Sequence, residues 1–559
     1  MDARKQFFKD TLEKPFEISQ FTKFTTEFFN NLDIVRPDKF VNDSKKWSEF
    51  SYHIEGYYHI ANFSGEDRAK IAVFAVELKS HKTVENARSM QRNFVKKLMD
   101  AAGIDGAIAA FYTKGEGKWR LSFIRLDYEF AKGKITEKLT PAKRYSYLVG
   151  ELEPCHTAEE RLYPIFMDDH ANPTLDQIEE AFSVEKVTKA FFENYRKKYI
   201  ELKEHLESNE DFMHEAERLN FTSEQFSKKL MGQLAFLYFI QKKGWLGVNA
   251  FPETLTQKQY NDALYFKGKI TKEIIPAVYR QTGEDQYTRI SGKTIEEYEV
   301  SKQEVLAAAL KGQSWGTGPR DFLRKMYENC QKKNLNFFDD YLEPLFYEAL
   351  NEQRGDIGYY SKLKCKVPFL NGGLFEPLDN YDWNHNDFDI PNEMFSNIDL
   401  KGKEDADGIL DIFDRYNFTM NEDEPLEKEV AVDPEMLGKI FENLLDVKDR
   451  KSKGAFYTPR EIVHYMCQES LANHISNETG ISYDAIKDFI VYGEFMKDQD
   501  TNVNARNGDS ELFISTEILD IKNNINRLKD VDDALANIRV ADIIFQKLIQ
   551  FTYYQKCCA

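Results

Sequence analysis

Gly454-Ala455-Phe456-Tyr457-Thr458-Pro459-Arg460-Glu461-Ile462-Val463 predicts a helix with a fixed starting point. Proline suits the first helical turn, where its missing N–H costs nothing. Thr458 then stands at the N-cap, with its hydroxyl and the nearby free amides facing one direction. Such a helix start attracts carboxylates. Upstream, Val432-Asp433-Pro434-Glu435-Met436-Leu437-Gly438 opens a second helical pattern. Downstream, Asn537-Ile538-Arg539-Val540-Ala541-Asp542 reads as a strand, and the chain continues as Ile543-Ile544-Phe545-Gln546 with no glycine after Gly508.

The bulk composition is that of a globular chain. The 559 residues suffice for roughly three or four domains. Hydrophobic residues make up 42% and aromatic residues 14%, so sizeable cores are available. The longest apolar run, Leu234 to Ile240, falls well short of the roughly 18 residues that span a bilayer, and Met1-Asp2-Ala3-Arg4-Lys5 leads into no signal-peptide core. No membrane association and a cytoplasmic location are expected. Cys155, Cys330, Cys365, Cys467, Cys557 and Cys558 form no C-x-x-C pair, which argues for reduced thiols rather than zinc. A net charge of −19 argues against a protein coated with basic residues, while leaving room for a local basic cleft on DNA.

Outward from the opening stretch the character changes twice. Residues 1–175 read as a mixed α/β domain. Strands are expected at Tyr57–Phe63, Ile71–Lys79, Ala107–Tyr112 and Trp119–Ile124. A helix is expected from Thr83 to Ala102, ended by Gly103, and a hairpin turn at Lys114–Gly117. From Ser183, Val187, Phe191, Tyr195 and Tyr199 recur every four residues, a helical stripe. Thr222 and Gln225 form a capping box ahead of Phe226, Leu230, Leu234 and Leu237, and Gly244 stops that helix. Residues 176–430 therefore read as a helical connector, with a polar, loop-rich stretch at 245–320 and an irregular segment at Val367–Glu376.

Four segments in order carry a resemblance: Gln233–Gly247, Val367–Glu376, Val432–Leu445 and Lys453–Met466. Together they resemble the large type IIG restriction–modification proteins and their adenine-N6 DNA methyltransferase relatives, over about residues 180–542. The resemblance implies a Rossmann-like methyltransferase domain whose helical lead-in starts near residue 431. It also implies that Tyr457, Thr458 and Pro459 line the methionine end of an S-adenosylmethionine pocket, and that the partner is double-stranded DNA. In the family, the strand resembled by Ile538–Asp542 runs into a Gly-rich turn that approaches the cofactor, and an Asn-Pro-Pro-Tyr motif holds the flipped adenine. Residues 431–559 contain neither. The expectation is a domain truncated by a frameshift, or an enzyme split with a second polypeptide, and a chain that does not methylate alone. Val540 to Tyr554 is expected to expose an unpaired strand and an apolar tail.

Proteins of this family often begin with a PD-(D/E)xK nuclease, so the resemblance also directs attention to Glu77-Leu78-Lys79 at the end of an apolar strand. Such a site needs an acid on one strand and Glu-x-Lys on the next. The acids, Glu77 among them, hold Mg²⁺, and Lys79 positions and activates the attacking water. Glu77 and Lys79 share a face by alternation, and Gln91 and Arg92 follow on a helix. Glu55 and Asp67 are both candidates for the first acid. The competing reading is a solvated strand end. Lys143-Arg144-Tyr145-Ser146-Tyr147 reads as a loop packed on its neighbour or as a phosphate contact, Gln241-Lys242-Lys243 as a helix end or a DNA-backbone contact, and Asn421–Glu424 as a solvated acidic loop. Two further functions stay open beside the methyltransferase: an Mg²⁺-dependent endonuclease fragment, and a noncatalytic subunit of a split methyltransferase.

Overall fold

A mixed α/β architecture is observed in the computed structural model. It describes residues 3–549 other than 36–38, 42–46, 48–49, 86–87, 127–128, 132–133, 137–141, 152, 168–169, 250–253, 259, 262–278, 290–314, 355–357, 371–372, 421–426, 435–437, 439–459, 497–524, 539 and 543–546. Eight strands form the main sheet. They are β1 (Asp33–Ile34), β2 (Phe40–Val41), β3 (Ile54–Ser64), β4 (Lys70–Leu78), β5 (Gly106–Thr113), β6 (Lys118–Arg125), β7 (Lys143–Gly150) and β8 (Glu427–Glu429). Their order is β1-β3-β4-β5-β6-β7-β8, with β2 also paired to β3.

The β4–β5 and β7–β8 pairs are parallel. A parallel pair needs a crossover; α1 (Ala3–Glu13) and α2 (Ile18–Phe28) precede the sheet, and α3 (Arg88–Ala102) makes the crossover from β4 to β5. β4 is buried on both faces, which explains its unbroken apolar run. Ile71, Val73 and Ala75 share a core with Phe8, Leu12, Phe21 and Phe24 of α1 and α2. Ala72, Phe74 and Val76 share another with Phe94, Val95 and Met99 of α3. Each such buried phenylalanine contributes about 1.5–3 kcal/mol before entropy is charged against it.

The four strands expected from apolar runs correspond to β3–β6, and the helix before Gly103 starts at Arg88. Gly103 and Gly115 both take positive φ, +61° and +86°, at the helix stop and the hairpin turn. One expectation fails: Lys143–Tyr147 is no loop but most of β7, bonded along its length to β6. Its polar residues Arg144 and Ser146 are nonetheless buried, so polarity there does not mean solvent.

The helical region follows as α4 (His156–Phe166), α5 (Leu175–Ala181), α6 (Val184–Ser208), α7 (Glu210–Leu219), α8 (Ser223–Lys242) and α9 (Phe322–Lys333), then two π-helical turns at Phe338–Leu342 and Pro344–Leu350. The four-residue stripe on α6 buries Val187, Phe191, Tyr195 and Tyr199. Ser183 occupies its N-cap without a side-chain bond. The capping box of α8 is complete: the Gln225 N–H donates to Thr222 Oγ1 at 3.2 Å, and the Thr222 N–H donates to Gln225 Oε1 at 2.9 Å. Gly244 ends α8 at φ +68°, where a Cβ would meet the Gly316 carbonyl at 2.4 Å. The irregular segment packs on α8, with Gly373 and Leu374 carbonyls accepting from Lys229 and Gln233.

At the C-terminal side, α10 (Arg460–Thr479), α11 (Tyr483–Met496) and α12 (Ile525–Ala536) share a small core of Ala472, Ile475, Ile481, Ala485, Ile486 and Val531. Val540–Asp542 pairs antiparallel with Lys547–Ile549, so this strand is not the unpaired one expected. Among the described residues no helix is long and apolar enough to cross a membrane.

Candidate active site

Glu77 is the penultimate residue of β4 and Lys79 follows the strand, so the two charged residues stand where its buried apolar run ends. The Glu77 carboxylate takes the Lys39 ammonium at 3.0 Å and accepts the Tyr112 hydroxyl at 3.1 Å. Tyr112 comes from the neighbouring strand β5, and its burial, with Glu77 beside it, raises its hydroxyl pKa. The Lys79 ammonium bonds to Glu55.

Glu55 is placed by an irregularity in β3. Ile54 pairs with Leu78 and Gly56 with Glu77, leaving Glu55 as the extra residue of a bulge. Bulges re-aim a side chain, and here the carboxylate reaches Lys79. That hydrogen bond holds the Glu55 carboxyl below its usual range, with help from the charge of Lys39. Two acids and two lysines from adjoining segments thus form one balanced cluster where β3 begins and β4 ends.

The structure places the two candidate first acids far apart along the β3–β4 hairpin. Asp67 lies at the other end of the β3–β4 hairpin, accepting from the N–H groups of Ala69 and Leu175 at 3.1 Å each, the second at the start of α5. Glu55 is the acid brought to Lys79. Gln91 and Arg92 are not brought there: both are buried in a separate ionic cluster. The sequence pattern misses this cluster entirely. In it, Glu427 of β8 pairs with Arg92 and Arg144, each at 3.0 Å, and Glu429 pairs with Arg120 at 3.1 Å. Arg144 also donates to Gln91, and Arg120 to Ser146. Burial pushes the Arg144 guanidinium down to about 9, opposed by Glu427. Burial alone would raise the Glu429 carboxyl, but Arg120 and the other cations outweigh it, and the net direction is down.

Among the described residues no group of three His, Cys, Asp or Glu side chains is arranged for a metal ion. Mg²⁺ keeps several waters and uses one or two carboxylates, so Glu55 and Glu77 suffice in number. As arranged they do not fit, because each carboxylate is already held by a lysine.

Tyr457, Thr458 and Pro459 lie outside the described residues, as do Asn421–Glu424. α10 begins directly after Pro459. The proposed DNA contact at the end of α8 is otherwise engaged: Lys242 bonds to Glu153 and to Asn417, and Gln241 accepts the Leu323 N–H. Cys155, Cys330 and Cys365 are buried free thiols, and Cys467 is exposed and free.

With this geometry in place, one similarity stands out. A protein of Methanocaldococcus jannaschii, provisionally named a type II restriction enzyme and methyltransferase, is 36% identical over 168 residues. The match covers 28% of this chain and 13% of the length of that relative. No family model matches the chain. No solved structure matches it. Over the matched stretch, the chain is similar to that protein, and it spans about an eighth of that protein's length.

Proposed function

We propose that this chain is part of a restriction–modification protein that methylates adenine N6 in a specific double-stranded DNA site with S-adenosylmethionine. The 168-residue likeness carries this reading. The sequence Tyr457-Thr458-Pro459 ahead of α10 supports it, since residues of these types at a helix start suit the cofactor carboxylate. No Gly-rich turn follows Ile538–Asp542 and the sequence has no Asn-Pro-Pro-Tyr, so on this reading methyl transfer draws those elements from another segment or a second polypeptide. Exposed Ile462, Val463 and Met466 on one side of α10 favour such a partner surface. Titration calorimetry with S-adenosylmethionine tests the cofactor half. Binding weakened by Thr458→Val supports the pocket; binding indifferent to that change removes it.

A second reading is favoured by a separate observation, the meeting of Glu55, Glu77 and Lys79 on adjoining strands. It assigns the N-terminal sheet a DNA-cleaving role of the PD-(D/E)xK kind. As arranged, Lys39 holds Glu77 and Lys79 holds Glu55, so on this reading both lysines would have to be displaced before the carboxylates could take Mg²⁺. The ion would then supply charge stabilisation at the scissile phosphate. Supercoiled plasmid incubated with the protein and Mg²⁺ should be nicked, and Glu77→Ala should abolish nicking. Equal cleavage by wild type and Glu77→Ala, or none by either, sinks this reading.

A further inference from the structure

β6 and β7 place two arginines and two serines on one face of the sheet. Side chains alternate along a strand, so Arg120, Ser122 and Ile124 share a face of β6, and Arg144, Ser146 and Leu148 share a face of β7. The register sets Ser122 against Ser146, Arg120 against Leu148 and Ile124 against Arg144. The two serines therefore stand side by side at the centre, with an arginine at each of two diagonal corners. Arg120 Nη1 donates to Ser146 Oγ at 2.9 Å. Arg92 comes in from α3, and Glu427 and Glu429 from β8. Every one of these side chains belongs to a residue at most 4% exposed.

Neither charge nor hydrogen bonding is balanced in this patch. Three guanidiniums face two carboxylates, and Arg88 at the start of α3 adds positive charge toward Arg144 and Glu429. Lys242 also faces Glu429 but is paired with Glu153, and Glu85, an acid that faces Arg120, is paired with Lys118 at 3.1 Å. A guanidinium does not shed its proton to relieve the excess. Arg92 Nε, Arg120 Nη2, Arg144 Nη2 and Ser122 Oγ have no hydrogen-bond partner among the described residues. Buried donors are nearly always satisfied, and uncompensated buried charge is costly.

We propose that the Ser122–Ser146 centre, flanked by Arg120 and Arg144, binds a halide-sized monovalent anion such as chloride. A halide accepts N–H and O–H bonds from many directions, which suits donors that arrive from two strands and a helix. It also brings the negative charge that the three arginines lack. Ser122 and Ser146 are the smallest side chains of the patch, so a single ion fits there with least displacement of its neighbours. A carboxylate or phosphate is bulkier, and water supplies acceptors but no charge. The bound anion would tie β8 to the sheet through the arginines that also hold Glu427 and Glu429.

The test is chemical denaturation of the full chain at constant ionic strength, with sodium gluconate replaced stepwise by sodium chloride. A ligand bound by the folded state alone lowers the unfolding equilibrium constant in proportion to its concentration once its Kd is exceeded. Wild type should show a roughly tenfold drop per tenfold rise in chloride in that range, and bromide should act in the same way. Ser122→Val fills the centre and should abolish the dependence, while Lys428→Ala, on the exposed position of β8, should keep it. A wild type indifferent to the exchange of gluconate for chloride overturns the site, as do equal slopes for wild type and Ser122→Val. If Ser122→Val does not fold, a wild-type crystal grown in sodium bromide decides. An anomalous peak within hydrogen-bond reach of Ser122 Oγ supports the site, and ordered water there without such a peak overturns it.

Discussion

Two charge clusters flank the same sheet and are built by opposite rules. One uses arginines Arg92, Arg120 and Arg144 with Glu427 and Glu429, all between 0 and 4% exposed. The other uses Lys39 and Lys79 with Glu77 and Glu55, whose side chains are 13–40% exposed. The planar guanidinium offers several donors in a fixed fork and keeps its charge in a dry interior, whereas an ammonium on a flexible stem is easily rehydrated and released. The difference separates architecture from chemistry. A sealed pair holds two distant segments together and exchanges with nothing. An open pair can surrender its lysine to an incoming ion or phosphate.

Breaking the sealed cluster should have the largest effect. Glu427→Ala strands Arg92 and Arg144, and loss of one partner of a buried pair costs about 3–5 kcal/mol. Chemical denaturation should show this, while Lys428→Ala, on the exposed position between, should stay within about 0.5 kcal/mol. If both variants unfold alike, β8 is not held by its glutamates. Next is Glu343, buried in the π-helical segment, where its carboxyl is pushed up to about 9 by desolvation despite the bond from Tyr381. A raised carboxyl means the folded state keeps a proton that the unfolded chain releases. The stability from this group is full below about pH 4 and is lost as pH rises toward 9, by at most about 1.4 kcal/mol per pH unit. Glu343→Gln should therefore flatten the decline in melting temperature between pH 6 and 9; an unaltered slope would assign the decline elsewhere. The smallest effect belongs to the open cluster. Lys39→Ala should change stability by no more than about 1 kcal/mol while freeing Glu77. A loss comparable to Glu427→Ala would erase the contrast between the two clusters.

Apolar runs made much of the sheet legible. β4 and β5 are buried on both faces and announce themselves as continuous Ile, Val, Ala and Phe. β7 did not, because Arg144 and Ser146 are interior residues facing partners that come from far along the chain. β8 reads Glu-Lys-Glu and carries no strand signal at all. At the candidate site, alternation correctly placed Glu77 at a strand end, but choosing Glu55 over Asp67 required the bulge, which is a matter of hydrogen-bond register and invisible in residue types. Gln91 and Arg92 follow the acidic strand closely in sequence, yet the facing of α3 commits them to the sealed cluster. Lys242 looked like a phosphate contact because sequence alone does not reveal Glu153 opposite it.

The late position of β8 has a consequence for synthesis. Arg120 and its partner Glu429 are 309 positions apart. At ribosomal rates of 5–20 residues per second, about 15 to 60 seconds separate their emergence. During that interval Arg92, Arg120 and Arg144 lack the carboxylates of Glu427 and Glu429. The buried ionic cluster can close only after β8 has been made.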